Sequence, residues 1–360
     1  MEIRTKIGRG DALWALVVVM LVVIVVVARP KPYTPSTVTA ADEQKATDYL
    51  DANLAPLPDD WTFETLDFAD EGVIRFGSAG PVDAPVTILY IPGFTSTVEL
   101  YADFYAHWRA QGYRVVAMDL PGQGGSVRRR DNPEKPYTGR FQQYGNAVDL
   151  VTDHIAAQSD SQIILVGESM GGHAVLRAAA DHEMDIAGIV PLVPALEANP
   201  GMPRAAAKAY AWFANHTRLG NRYAPGQRNW HVNWDSEEKS QWCGDREDRI
   251  HLRDAFYTLH TEYRVGGVTA KWFSGLERSG RDLTDGAALD DLSVPVRMIL
   301  AGQDNVVFND RSLRLCSDGL ADCEVVTIEA ASHCLGFEDD AVRLPVLASI
   351  DELAVSVITP

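Results

Sequence analysis

The sequence predicts an α/β protein with a mostly parallel, doubly wound sheet and a helical insertion. Short β-branched or aromatic runs alternate with helical patterns, the central runs are hydrophobic at every position, and the alternation stops between about residues 195 and 289 before it resumes. A strand that helices cover on both faces needs apolar residues at every position rather than at alternate ones. The composition agrees with a globular protein, since 46% of the 360 residues are hydrophobic and 23% are charged.

Eight strands are predicted in chain order from runs rich in β-branched or aromatic residues. They cover residues 62–68, 73–76, 86–91, 114–120, 162–167, 186–192, 296–301 and 323–328. Two helical faces between these strands have apolar residues three or four positions apart. The members of the two faces are Leu100, Phe104 and Trp108 in one, and Phe141, Tyr144, Val148, Val151 and Ile155 in the other.

The interruption at residues 195–289 is too long for a structureless loop inside a compact domain. We therefore predict a mainly helical cap there, between a first part of the core at 42–194 and a second part at 290–360. Two interpretations of the cap tryptophans stay open: they form its core, or they line an apolar pocket for an acyl chain. These residues are Trp212, Trp230, Trp234, Trp242 and Trp272.

The N-terminal segment predicts a single-pass membrane anchor within residues 1–28. Residues 12–28 are uncharged, and as a helix they extend roughly 25 Å, close to the ~30 Å hydrocarbon core of a bilayer. The run exceeds a normal signal peptide, which favours an uncleaved anchor, although Val26 and Ala28 fit a cleavage site. Basic residues favour a cytoplasmic N-terminus and a catalytic domain on the periplasmic or extracellular side. The Pro- and Thr-rich residues 29–41 predict an extended tether.

Charge and cysteine content exclude some functions and favour one compartment. The net charge of −18 argues against a nucleic-acid partner, because a negatively charged surface repels phosphates. No Cys/His spacing in the sequence indicates a structural zinc site. The four cysteines are an even number, as disulfides in an oxidising compartment require. Cys316 and Cys323 flank a turn-like stretch and are the candidate pair. Free buried thiols are the alternative.

A nucleophile motif of the form G-x-S-x-G follows the predicted strand 162–167 and opens a helical run. It reads Gly167-Glu168-Ser169-Met170-Gly171. A strand-to-helix turn this tight accepts only small residues at its flanks and raises the serine oxygen at the carboxyl end of the sheet. Ser169 is therefore the candidate nucleophile.

A serine hydroxyl needs a base within hydrogen-bond reach and a carboxylate that holds this base in the right tautomer. Asp304 comes just after strand 296–301, and His333 just after strand 323–328. Parallel strands share their carboxyl ends, so both residues are expected at the same sheet edge as Ser169, in the chain order Ser, Asp, His. Asp310 is the rival carboxylate, but it lies farther from its strand, at the start of a helix.

Two backbone amides are expected to hold the oxyanion of a tetrahedral intermediate. Met170, the residue after the nucleophile, supplies the first. Phe94 supplies the second, because it follows strand 86–91 in the turn Pro92-Gly93-Phe94.

These motifs resemble the α/β-hydrolase superfamily, in the branch that contains lysophospholipases, monoacylglycerol lipases and serine aminopeptidases. The resemblance runs from about residue 60 to 353 and is carried by residues 92–94, 112–126 and 167–172. Residues 263–269, followed by Trp272, resemble the cap segment of bacterial lysophospholipases of the L2 type. Pro92 stands where this family commonly has a His that supports the oxyanion loop. Cys334, directly after His333, either adjusts this base or pairs with Cys243.

The resemblance implies hydrolysis of carboxylic esters through an acyl-enzyme, without a metal or organic cofactor. A membrane anchor and an aromatic cap favour an amphiphilic substrate, a lysophospholipid or a monoacylglycerol. The alternatives are a short-chain carboxylesterase or a serine aminopeptidase of the same fold, and an inactive membrane-tethered binding protein. The acidic cap residues that an aminopeptidase could use are too numerous to assign.

Overall fold

The computed structural model describes residues 32–217 and 219–358 and contains an eight-stranded sheet. The strands are β1 (Thr62–Phe68), β2 (Gly72–Ala79), β3 (Val86–Ile91), β4 (Arg114–Met118), β5 (Gln162–Glu168), β6 (Gly188–Leu192), β7 (Val296–Ala301) and β8 (Cys323–Ile328). Their order is β1-β2-β4-β3-β5-β6-β7-β8. β2 is antiparallel to both of its neighbours, and every other pair is parallel. The prediction of a mostly parallel sheet is confirmed.

The largest difference from the predicted strands is in β2, which extends to Ala79 rather than ending at residue 76. Gly77 and Ser78 have no β-branched or aromatic side chain, yet their backbones pair with both β1 and β4. The Trp61 indole lies over this part of the strand, and a Cβ on Gly77 would come within 2.3 Å of its nitrogen. Glycine is needed here so that an aromatic ring can cover the strand, which a propensity argument does not detect.

Helices cover both faces of the sheet. They are α1 (Ala40–Asn53), α2 (Ala102–Ala110), α3 (Gln142–Ala156), α4 (Met170–Asp181), α5 (Arg204–Asn215), α6 (Ser236–Cys243), α7 (Leu252–Leu259), α8 (Ala270–Asp285), α9 (Asp310–Asp318) and α10 (Asp340–Ile358). In β5, Ile163 and Leu165 belong to the core formed with α3 and α4, while Ile164 and Val166 belong to the core formed with α2 and α10. Alternate side chains thus enter different cores, which explains the continuous hydrophobic run.

The insertion is helical, as predicted, and consists of α5, α6, α7 and α8 between β6 and β7. The last helix of the insertion, α8, also belongs to the core, because Trp272 lies in the hydrophobic cluster that α3 forms with the sheet. The Trp272 indole N–H donates to the Tyr144 hydroxyl of α3 at 3.1 Å. Two of the cap tryptophans fit both interpretations, and one fits neither. Trp230 and Trp272 are buried and line a cavity, whereas Trp212 is 64% exposed on α5.

The predicted anchor at residues 12–28 lies outside the described residues. Within 32–217 and 219–358, no helix is both long and apolar enough to cross a bilayer. Residues 32–39 form neither a helix nor a strand, as expected of a tether, but they contact both the core and the cap. The Tyr33 hydroxyl donates to Glu134 at 2.8 Å, and the Arg264 guanidinium donates to the Ser36 carbonyl at 3.0 Å. The folded body therefore includes residues that precede Asp42.

All four cysteines form disulfides. One bond joins Cys316 to Cys323, between the last turn of α9 and the start of β8. The other joins Cys243, at the end of α6, to Cys334, which directly follows His333. Of the two roles left open for Cys334, the structure contains the pairing with Cys243.

Candidate active site

Ser169 lies at the turn between β5 and α4 with φ 54° and ψ −110°, a backbone conformation that non-glycine residues rarely adopt. The turn is as tight as the motif predicts. A Cβ on Gly167 would lie 2.3 Å from the Gly171 carbonyl oxygen, and a Cβ on Gly171 would lie 2.0 Å from that of Ile91. Both positions therefore require glycine, and the turn directs the serine side chain towards the carboxyl ends of the strands.

The structure brings the three predicted side chains into one hydrogen-bonded chain. His333 Nε2 lies 2.8 Å from Ser169 Oγ, and His333 Nδ1 lies 2.7 Å from Asp304 Oδ2. The other carboxylate oxygen, Oδ1, accepts the backbone N–H groups of Val306 and Val307 at 2.8 and 2.9 Å. Because the Asp304 carboxylate faces Nδ1, this nitrogen carries the imidazole proton, and Nε2 is left to accept the serine proton.

The competing residues lie elsewhere. Asp310 is the first residue of α9, its side chain is 72% exposed, and it lies 3.7 Å from Arg204. His173 is fully buried behind the turn, with Nδ1 2.8 Å from the Ala195 carbonyl and Nε2 2.7 Å from Ser279 Oγ. Burial lowers the pKa of His173 to about 4, so this imidazole is neutral near pH 7 and has a packing role.

The loop after β3 approaches the serine from the other side. A Cβ on Gly93 would lie 3.2 Å from Ser169 Cβ, so the backbone of this loop passes directly over the candidate nucleophile. Phe94 and Met170 both line the cavity that contains Ser169. The Phe94 ring stacks on Trp272 with a centroid separation of 4.8 Å. This contact holds Phe94 in place, and its backbone amide is the one expected to face the oxyanion.

Sequence reasoning missed the residue that holds this loop. Gln123 is only 2% exposed; its Oε1 accepts the Thr95 N–H at 2.5 Å, and its Nε2 donates to the Gly93 carbonyl at 3.0 Å. The two hydrogen bonds fix the peptide on each side of Phe94. Gln123 therefore supports the loop where Pro92 offers no polar side chain. The sequence did contain a signal, since Gln123 lies in segment 112–126, which carries part of the resemblance to α/β hydrolases.

Replacing Gln123 with alanine is expected to lower kcat about 10- to 100-fold with a much smaller change in KM. The amide of Phe94 would lose its fixed direction, and an oxyanion donor matters more in the transition state than in the ground state. Steady-state kinetics on a soluble ester measures both constants. Gln123→Glu keeps the acceptor for Thr95 but places a buried carboxylate against the Gly93 carbonyl oxygen, so it is expected to lower kcat at least as much as Gln123→Ala. A kcat at the wild-type level would contradict this role, and so would an equal loss in Gln143→Ala, whose amide contacts Glu71 on the outer surface.

Two cavities meet at Ser169. The larger has a volume of about 660 Å³ and extends beneath the cap, where its lining includes Tyr210, Trp272, Leu276 and Val307. The smaller has a volume of about 150 Å³, and His333 lines it. In the described ranges no cluster of His, Cys, Asp or Glu side chains could hold a metal ion.

Comparison with known proteins places this site in a family of hydrolases. The family model described as serine aminopeptidase, S33, matches residues 83–340. Lysophospholipase L2 of Escherichia coli strain K12 is 25% identical over 320 residues, which covers 82% of this chain and 89% of the relative. Phospholipase YtpA of Bacillus subtilis is 37% identical over 91 residues, covering 25% of this chain and 33% of the relative.

Solved structures show the same fold. A soluble variant of the monoglyceride lipase from Saccharomyces cerevisiae, bound to a substrate analogue, superposes with a TM-score of 0.64 at 17% identity and covers 85% of this chain and 97% of its own. The monoacylglycerol lipase of Paleococcus ferrophilus gives a TM-score of 0.58 at 20% identity, with coverage of 79% and 99%.

Proposed function

Because the chain belongs to the serine aminopeptidase S33 family of α/β hydrolases, we propose that it cleaves carboxylic esters of amphiphilic lipids with Ser169 as the nucleophile. The substrates are lysophospholipids or monoacylglycerols. The single observation that carries this proposal is the hydrogen-bonded chain from Asp304 through His333 to Ser169, which lines a cavity of about 660 Å³. The 25% identity to a lysophospholipase along most of both chains supports the substrate class.

In the proposed reaction, Ser169 Oγ forms a bond to the ester carbonyl carbon while its proton passes to His333 Nε2. The carbonyl electrons move to oxygen, and the amides of Phe94 and Met170 donate to this oxyanion. Asp304 stabilises the imidazolium through Nδ1. The intermediate then breaks its bond to the alcohol oxygen, which takes the proton from Nε2. Water repeats the sequence on the acyl-enzyme and releases the carboxylic acid.

The cap supports a lipid substrate. Apolar side chains of α5 and α8 line the large cavity, which suits an acyl chain. Beside it, Met202, Trp212 and Phe213 are all more than two-fifths exposed on or next to α5. Large apolar side chains that face outward beside a cavity are typical of proteins that work at a membrane or partner surface.

We propose that the chain is anchored through residues 12–28, with the catalytic domain on the non-cytoplasmic side. The basic residues around that run and the two disulfides support this localisation. Residues 34–36 contact Asn229 and Trp230, which line the large cavity. An anchor that precedes this segment would hold the cavity near the bilayer from which the substrate comes.

The test uses the full chain in neutral detergent micelles. A fluorophosphonate probe measures the fraction of active serine, and the release of acid or amine is followed from lysophosphatidylcholine, monoolein, p-nitrophenyl butyrate and an alanine p-nitroanilide. We expect labelling and a kcat/KM that is highest for one of the two long-chain lipids. Turnover of the short ester alone would contradict the lipid proposal in favour of a carboxylesterase. Turnover of the anilide alone would favour the aminopeptidase alternative, and no labelling would favour a binding protein.

A further inference from the structure

Only one of the two cavities at Ser169 is lined by the proposed base, His333. His333 and Phe337 line the small cavity but do not line the large one. In the proposed reaction the leaving alcohol takes its proton from His333 Nε2, so the alcohol part of an ester has to lie on the side of the histidine. The small cavity therefore receives the alcohol, and the large cavity receives the acyl chain. This step rests on the proposed function.

The small cavity is basic in a chain whose net charge is −18. Lys239, Arg249 and Arg253 line it, against one carboxylate, Glu168. Lys239 and Arg253 also line the large cavity and so lie where the two cavities meet. That carboxylate is buried, and its two oxygens accept the Tyr90 hydroxyl at 3.1 Å and the Gly336 N–H at 3.3 Å rather than a side-chain cation. Cations therefore outnumber carboxylates in the lining itself, and their partners outside the lining decide which of them can bind a substrate anion.

Two of the three cations are already paired. Lys239 Nζ contacts the Asp254 carboxylate, and both side chains are at least nine-tenths buried. Arg249 donates to Asp103 at 2.9 Å. Arg253 differs from both because its side chain is 38% exposed and its nearest carboxylate oxygen, on Asp254, is 3.6 Å away. Asp254 also accepts the Trp230 indole N–H at 2.8 Å, so it is shared among three donors or cations.

The third cation, Arg253, lies beside the oxyanion loop, the segment after β3 that contains Phe94. Arg253 Nη1 donates to Thr95 Oγ1 at 3.1 Å, and Thr95 directly follows Phe94. Thr95 has a φ of 62°, which is unfavourable for a β-branched residue and persists because Gln123 holds its N–H. The ring of the neighbouring His251 is no further cation, since burial and the Lys239 ammonium lower its pKa to about 4. One partly exposed guanidinium, whose ion pair with Asp254 is long, is thus held next to the oxyanion loop, where it can bind an anion.

We propose that Arg253 binds the phosphate of the leaving glycerophospho group and so favours lysophospholipids over monoacylglycerols. A guanidinium presents two parallel N–H donors that match phosphate oxygens, and it stays charged at every physiological pH. A monoacylglycerol has the same glycerol but no phosphate, so it fills the small cavity without using this charge. Arg253 is therefore a specificity-determining residue of the cap.

The test compares two substrates with the same acyl chain, 1-palmitoyl lysophosphatidylcholine and 1-palmitoylglycerol, on the full chain in neutral micelles. In Arg253→Gln the ratio of kcat/KM for the phospholipid to that for the glyceride is expected to fall about 10- to 100-fold, mainly through KM, because a charge-assisted hydrogen bond is lost. Arg253→Lys is expected to recover part of the ratio. Arg278→Gln removes an exposed arginine on α8 and is expected to leave the ratio unchanged. Fluorophosphonate labelling normalises each variant to its active fraction.

An unchanged ratio in Arg253→Gln would overturn this inference and leave the proposed function intact. An equal loss on both substrates would also overturn it, because Arg253 would then act only through Thr95 on the oxyanion loop. Wild-type enzyme provides a test that does not depend on a folded variant: sn-glycerol 3-phosphate is expected to inhibit at lower concentration than glycerol, and equal inhibition would contradict the inference. Failure of the wild type on both lipids would instead reject the proposed function.

Discussion

Ser169→Ala is expected to lower kcat by on the order of 10⁵-fold, to the level left by the remaining binding and oxyanion groups. The hydroxyl is the group that donates to His333 Nε2, so its removal takes away both the nucleophile and the proton that the base accepts. Substrate binding depends on the cavities and should change little. The stability of the fold should also be retained, since alanine has one heavy atom fewer and leaves only His333 Nε2, which lines the small cavity, without its partner.

The measurement combines fluorophosphonate labelling with fatty-acid release from the preferred lipid. Ser317→Ala on the surface of α9 is the matched control and is expected to retain full labelling and turnover. Thermal unfolding of both variants checks that the fold is intact. Labelling of Ser169→Ala at the wild-type level would mean that another residue is the nucleophile.

Asp304→Asn is expected to lower kcat about 10³- to 10⁴-fold, although the side chain keeps its shape. Asp304 Oδ1 accepts two backbone N–H groups, and Oδ2 faces His333 Nδ1. The asparagine oxygen has to stay with the two N–H donors, so its NH₂ group points at Nδ1. That nitrogen must then accept, the imidazole proton moves to Nε2, and the base can no longer take a proton from Ser169.

Asp310→Asn provides the comparison, because the same chemical change is made at an exposed carboxylate at the start of α9. We expect this variant to keep wild-type kcat on the preferred ester. Equal activity of the two variants would reject Asp304 as the partner of His333. A loss confined to Asp310→Asn would assign the role to the rival carboxylate.

The sequence was sufficient for the sheet and for the positions of the three side chains, because both depend on short segments. A buried strand such as 162–167 has its own composition, and Ser169, Asp304 and His333 each follow directly after a strand. Since parallel strands end at one edge, residues more than a hundred positions apart meet without any further assumption.

The remaining features depend on where individual side chains point across long separations. Gln123 reaches Gly93 across 30 residues, and Cys243 meets Cys334 across 91. Arg253 contacts Thr95 from a cap helix. No periodic pattern in the sequence predicts where this helix lies relative to the sheet. The N-terminal residues 33–36 show no burial pattern, because their contacts with Glu134 and with the cap are made largely by backbone and hydroxyl groups.

The bond between Cys243 and Cys334 joins cap helix α6 covalently to the residue after the proposed base, and the His333 N–H also donates to the Trp242 carbonyl at 3.2 Å. If the cap swings away at this end, it carries His333 with it. Every molecule in which α6 is open then also has a displaced His333, and such a molecule cannot turn over substrate. Exchange that keeps the base in place has to occur away from α6, so the rate of product release depends on the other parts of the cap.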